Sequence, residues 1–260
     1  MRLAIGVSYH GGAYQGWQSQ SSRQTVQDRL ESALSSLAAE RIGTVCAGRT
    51  DAGVHALMQV AHFDTNASRR LVSWVRGTNA LLPRDIAVQW AAEVPGEFHC
   101  RVAARSRRYT YVLLESGVRP SIDNGRVGWT MHALSHRAMQ DACIHLLGEH
   151  DFTSFRAAAC QALSATKNLL RIDITRCGAY WRFEFEASAF LHHMVRNIMG
   201  CLVAVGQGKR PPQWMGEVLA ARSRAVAAPT FPPEGLYFLG PRYEAHWGLP
   251  ERTDAYDGLP

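Results

Sequence analysis

Residues 45–65 read VCAGRTDAGVHALMQVAHFDT, and the order of residue types in that stretch decides the fold. Val45 and Cys46 begin a strand, Gly48 to Gly53 form a glycine-bracketed turn, and Val60 to Thr65 return as an antiparallel strand. Upstream, Thr25-Val26-Gln27-Asp28 reads as a capped helix start, and Val26, Leu30, Leu34 and Leu37 mark one face of the helix that follows. Ahead of it, Leu3, Ile5 and Val7 alternate as a first strand. Downstream, Ser68 to Leu81 predicts a helix with Leu71, Trp74 and Val75 inward, ending before Pro83, and Ile86 to Trp90 predicts a further strand. The order is β-α-β-β-α-β.

The second half repeats that order. Arg107 to Leu114 alternates as a strand and Ser135 to Leu147 is helical, with Gly148 as its stop. Leu170–Arg176 and Trp181–Ala187 make a hairpin around Gly178. Ser188 to Val205 reads as one long helix, Trp214 to Ala221 as a short extra one, and Leu236 to Leu239 as a closing strand. The prediction is an α/β (α+β) protein of two ferredoxin-like halves with mainly antiparallel sheets, whose exposed faces form a central cleft. Domains are expected at 1–103 and 104–248, with 249–260 a disordered tail.

Asp51 stands out chemically. Its ordinary role would be an Asx-turn residue that stabilises its own loop. The turn, however, already holds two glycines, and Arg49, Thr50 and His55 lie close by in sequence. An Asp beside an Arg stays ionised, which suits a nucleophile or electrostatic stabiliser.

The chain has 260 residues, 47% of them hydrophobic, and a net charge of +6. Of its 28 cations only Lys167 and Lys209 are lysines. Guanidinium suits phosphate and stacks on bases, so the bias favours a nucleic-acid partner, although a GC-rich genome would produce the same bias. Six scattered cysteines without a Cys-x-x-Cys pair argue against a zinc ribbon and a disulfide framework, and for reduced thiols in a cytoplasmic protein. The N-terminal residues do not read as a signal peptide, and the stretch Phe190–Val205 carries too many polar residues for a membrane span.

Arg105 to Tyr111 is the densest basic run. On a strand, Arg107, Tyr109 and Tyr111 face one way and Arg108 and Thr110 the other. Such a face is either a platform for phosphate and base or a surface strand with packed tyrosines. Around Phe190–Asn197, His193, Arg196, Asn197 and Gly200 form a polar stripe beside an apolar face. An Arg in that position needs a carboxylate partner, for which Asp51 is a candidate. His192 and His193, as helical neighbours, would diverge by about 100° and not chelate together, so no metal is expected. No phosphate-loop or Rossmann fingerprint is present.

Taken in order, Tyr9-x-Gly11, Gly16-Trp17-Gln18, Thr25-Val26-Gln27, Gly48 to Ala56 (GRTDAGVHA), Gln59-Val60-x-His62-Phe63, Phe98-His99-x-Arg101, Arg108-Tyr109-x-Tyr111, Gly148 to Phe155 and Met194-Val195-Arg196-Asn197 resemble the TruA family of tRNA pseudouridine synthases. The resemblance runs from Leu3 to Tyr243. It implies an isomerase that converts uridine to pseudouridine at positions 38, 39 and 40 of the tRNA anticodon stem-loop. It further implies base flipping, no metal or organic cofactor, and a homodimer with no membrane association. By motif position Asp51 would be the nucleophile and Tyr109 would pack on the target base. Arg49 would help extrude that base, and Arg196 would pair with Asp51. Arg107 and Arg108 would bind substrate. His10, Cys100 and Lys167 depart from the common pattern. Two other functions fit parts of the same residues: a non-catalytic RNA-binding protein with two sheet platforms, and a metal-dependent phosphoesterase using Asp51, His55 and His192 or His193.

Overall fold

A computed structural model describes residues 1–158 and 160–251. Along the chain the regular elements are β1 (Arg2–Tyr9), α1 (Val26–Ala38), β2 (Val45–Cys46), β3 (His55–Asp64), α2 (Leu71–Leu81), β4 (Ile86–Val94), β5 (Ser106–Glu115), β6 (Gly128–Thr130), α3 (His136–Cys143), β7 (Gly148–Asp151), β8 (Thr166–Cys177), β9 (Tyr180–Ala187), α4 (Met194–Gly206), α5 (Trp214–Ala221) and β10 (Leu236–Arg242). The fold is mixed α/β with mostly antiparallel strands. It comprises two compact units, one of residues 1–107 together with the chain from Tyr237 onward, the other of Arg108–Leu236.

In the first unit β1 lies between β4 and β3 and is antiparallel to both. β2 pairs antiparallel with the far half of β3, Val45 opposite His62. That is the split β-α-β arrangement expected for residues 1–94. Thr25 caps α1 by accepting from the Asp28 amide at 3.3 Å, and its hydroxyl donates to the Asp28 carboxylate at 2.5 Å. Val26, Leu30 and Leu34 are buried as the periodicity requires. α2 starts at Leu71 rather than Ser68, and Leu71 is 43% exposed. The inward face is Trp74 and Thr78, because Trp74 carries the large apolar surface, set edge-on to Phe63 of β3. The helices meet where Gly77 faces Leu37; a Cβ there would stand 2.7 Å from Leu37 Cδ1.

β10, read as the closing strand of the second half, stands next to β5 in the strand order as that reading requires. From Tyr237 onward it also pairs in parallel with β3, Tyr237 opposite His55 and Phe238 opposite Ala56, and groups with the first unit. Phe238 is fully buried, Tyr237 stacks on the His55 ring at 4.6 Å, and the Arg105 amide donates to Arg242 O at 2.9 Å. These contacts group residues 237–248, expected with the second domain of 104–248, with residues 1–107. Of the expected tail, Leu249 packs on the core around Phe98, and residues 252–260 lie outside the described residues.

Within the second unit the strand order is β5-β9-β8-β7, with β6 pairing in parallel with β5. β8 and β9 form the expected hairpin, turning at Gly178. The expected helix 135–147 ends at Cys143 and tightens into a 3-10 turn over Ile144–Leu146. The long helix expected from Ser188 begins only at Met194, and His193 ahead of it sits in the left-handed region at φ 62°. Among the described residues no helix is long and apolar enough to cross a membrane.

One buried group in the first unit gives the fold a pH dependence. His62 on β3 is 5% exposed, lies 5.0 Å from the His99 ring and accepts from the Cys100 amide at Nδ1. Burial, reinforced by Arg2 and His99, pushes its pKa down to about 4. The folded state therefore holds His62 neutral, whereas the unfolded chain protonates it near pH 6.5. Between those values the unfolded state binds more protons, so stability falls as pH is lowered from about 6.5 towards 4. At pH 4.5 the loss is on the order of 2 kcal/mol. His62→Gln, which keeps an acceptor for Cys100, should flatten this slope. Urea midpoints at pH 7 and 4.5 measure it, and equal drops for the two proteins would refute the assignment.

Candidate active site

Residues 48–56 form the turn and the first strand positions between β2 and β3, and the side chains beneath them explain its shape. Gln59, fully buried on β3, accepts from the Gly48 amide at 3.3 Å and donates to the Gly48 carbonyl. Thr50, 6% exposed, shares a 2.7 Å hydrogen bond with the buried Tyr9 hydroxyl of β1. The Thr50 carbonyl accepts from the Trp17 amide at 3.1 Å, and the Gly53 amide donates to Tyr14 O at 3.3 Å. Gly53 occupies the left-handed region at φ 80°, as the turn demands, whereas Gly48 does not. Three segments of chain, β1, β3 and the loop that carries Tyr14 and Trp17, hold the backbone.

Alternate residues of the turn therefore point in opposite senses. Gly48 and Thr50 are clamped from below, while Arg49 is exposed and Asp51 half-buried. The strand leading into the turn is clamped as well. Arg101 Nε donates to Cys46 O at 3.3 Å. Arg107 donates to Ala47 O at 3.4 Å, to Ala104 O at 3.0 Å and to Arg101 O.

His55 serves the scaffold. It is 1% exposed, stacks on Tyr237, and at Nδ1 accepts from the Gly11 amide at 3.0 Å, which fixes it as the neutral Nε2–H tautomer. His10, a departure from the family pattern, packs its ring 4.4 Å from His55 and so does touch the nine-residue block. The buried Cys100 thiol donates to Val45 O, and Lys167 donates to the carbonyls of Ser164 and Thr166.

Of the predicted site residues, Asp51, Arg49 and Arg107 belong to the first unit and Arg108, Tyr109 and Arg196 to the second. The Arg/Tyr strand is not an exposed sheet face. Arg108, Tyr109, Thr110 and Tyr111 are each 8% exposed or less, because β5 is covered on both sides. Tyr109 meets Phe190 edge-on, ring centroids 5.1 Å apart, and Tyr111 donates to Pro232 O at 2.9 Å.

On α4 the polar stripe grips a loop. Arg196 Nε donates to Phe231 O at 2.9 Å, and Asn197, fully buried, donates to Phe155 O and accepts from the Thr230 hydroxyl at 2.6 Å. His192 and His193 precede the helix, and their rings lie 4.0 Å apart. The helical divergence expected to keep them from acting together is therefore absent. Tyr9 and Gln59, whose side chains hold the turn, carry no signal in the sequence beyond their place within the family motifs.

A family model described as tRNA pseudouridine synthase matches residues 5–101 and 142–244, a span that includes the Asp51 turn and α4. The chain belongs to that family. It is 73% identical over 260 residues to tRNA pseudouridine synthase A of Albidiferax ferrireducens, covering all of both chains. Proteins of the same name from Polaromonas sp. (66% over 264 residues) and Methylibium petroleiphilum (65% over 260 residues) are also matched over their full lengths. Membership makes this chain an enzyme, an isomerase of the pseudouridine synthase type. Among solved structures, one titled as a Cbf5-Nop10-Gar1 complex aligns over 90% of this chain and 47% of that one, at 11% identity and a TM-score of 0.38.

Proposed function

We propose that this enzyme converts uridine to pseudouridine at positions 38, 39 and 40 of the tRNA anticodon stem-loop, with Asp51 as nucleophile and the target base flipped out of its stack. The observation that carries this reading is the Asp51 turn: a carboxylate two residues from an exposed guanidinium, on backbone clamped at Gly48 and Thr50. Rigid presentation is what nucleophilic catalysis requires, since small misplacements cost large factors in rate.

The reaction breaks N1–C1′, turns the uracil while it is still held, and joins C5 to C1′; C5 then loses its proton and N1 gains one. An ionised carboxylate can attack C1′, remove the C2′ proton to give a glycal, or add to C6. All three routes need the uridine extruded, at a cost of a few kcal/mol. Arg49, exposed beside Asp51, offsets that cost by contact with phosphate and the vacated stack. Tyr109, braced by Phe190, supplies an aromatic face and a phenol for the base. Arg196 supplies the counter-charge for Asp51, and Arg107 and Arg108 add positive charge for the RNA. The enzyme works in the cytoplasm as a homodimer, without metal or organic cofactor.

The test is direct. Purified enzyme incubated with unmodified tRNA transcripts carrying uridine at 38, 39 or 40 should form pseudouridine at those positions, mapped by mass spectrometry of digests, and EDTA should not reduce the yield. Modification elsewhere in the tRNA would overturn the site assignment, and loss of activity with EDTA would revive the metal-dependent alternative.

A further inference from the structure

The clamped residues of the turn and the presented ones alternate, and two buried side chains do most of the clamping. Gln59 sets its planar amide against the peptide groups of Gly48, donating to the carbonyl and accepting from the amide. Only an uncharged primary amide offers both functions in one plane. Tyr9 reaches from the neighbouring strand β1 to the Thr50 hydroxyl. Between these two anchors stands Arg49, and immediately after the second stands Asp51. Neither Tyr9 nor Gln59 is exposed enough to touch RNA, at 4% and 0%.

We propose that Tyr9 and Gln59 are positioning residues for the isomerisation: their hydrogen bonds to Thr50 and Gly48 hold the backbone so that Asp51 and Arg49 project at fixed angles. This inference rests on the assignment of Asp51 as nucleophile. Burial also keeps the Tyr9 phenol protonated, its pKa raised well above the usual range. Tyr9 thus holds Thr50 equally at every working pH and takes no part in proton transfer.

The experiment compares Tyr9→Phe, Gln59→Leu, Thr50→Val and Thr50→Ser with the wild-type enzyme on a tRNA transcript. Measurements are made at a temperature where circular dichroism shows each protein folded. Tyr9→Phe and Thr50→Val should lower kcat about tenfold or more while KM and tRNA affinity stay within about twofold, as expected when only transition-state alignment is lost. Thr50→Ser, which keeps the hydroxyl, should restore most of the rate. The Tyr9→Phe loss should be the same factor from pH 6 to 9. A Tyr9→Phe enzyme with wild-type kcat would overturn the proposal, as would a loss that varies with pH or a Thr50→Ser variant no better than Thr50→Val. Should Gln59→Leu fail to fold, the Tyr9 and Thr50 series decides the outcome alone. A wild-type enzyme that forms no pseudouridine would instead refute the proposed function.

Discussion

Asp51→Asn should fold, bind tRNA with near wild-type affinity, and form no detectable pseudouridine, a loss of about 10³-fold or more in rate. Asparagine has the shape of aspartate but no charge and almost no nucleophilicity, so the substitution tests chemistry and spares packing. Folding should survive because Gln59, Tyr9, Trp17 and Tyr14 hold the turn through their own hydrogen bonds. Binding should survive, or tighten slightly, because removing an anion from an RNA-facing surface removes repulsion. Asp51→Glu is the sharper companion. It keeps the carboxylate but moves it by about one bond length, and displacement of that size is expected to cost on the order of 10²-fold. Thermal melts, filter-binding affinity and pseudouridine yield separate the three effects. An Asp51→Asn enzyme with more than a few per cent of wild-type activity would end the nucleophile assignment.

The contrast between what sequence could and could not tell is clearest around this same turn. Periodicity and capping located β1, α1, β2, β3, α2 and β4 because each is a local pattern: alternation in Leu3–Val7, a Thr25–Asp28 cap, a Pro83 stop. The identity of a strand's neighbour is not local. Nothing in Leu236–Arg242 says that it will also pair with His55 and Ala56 of β3, so the grouping of residues 237–248 with the first unit is not legible there. Likewise, alternating Arg and Tyr on β5 looks half-exposed until other parts of the structure cover both faces. The start of α4 is not legible in the sequence because Ser188 to His193 continue the apolar rhythm, and no Ser, Thr, Asp or Asn marks the boundary at His193.

The candidate site divides the same way. Asp51 and Arg49 are visible in sequence as a charged pair between glycines. Tyr9 and Gln59, which orient that pair, look like ordinary strand residues. A buried hydrogen bond has no linear signature.

A large structural effect should come from Gly16→Ala, in the loop that packs beneath the turn. Gly16 sits at φ 84°, and a Cβ there would stand 2.6 Å from the Thr50 carbonyl oxygen and 3.0 Å from the Asp51 carbonyl carbon. Both are backbone atoms, so no rotamer change relieves the contact. The left-handed conformation alone costs an L-residue about 1–2 kcal/mol, and overpacking against fixed backbone adds about 1–3 kcal/mol. A loss of about 2–4 kcal/mol corresponds to roughly 5–15 °C in Tm for a domain-sized unit. The damage should not stop at stability. The Gly16 carbonyl accepts from the Val26 amide at the start of α1, and the next residue, Trp17, donates its amide to Thr50. Relieving the clash therefore shifts the residue beside Asp51, and pseudouridine formation should fall at least tenfold even at temperatures where the variant is fully folded. Gly43→Ala is the control, since its φ is not left-handed and no atom lies within 4 Å of a Cβ there; it should change stability by no more than about 0.5 kcal/mol. If Gly16→Ala melts like Gly43→Ala, the close approach of the loop to the Asp51 turn is not a feature of the folded enzyme. If it melts lower yet keeps full activity, the loop supports the fold without aligning the nucleophile.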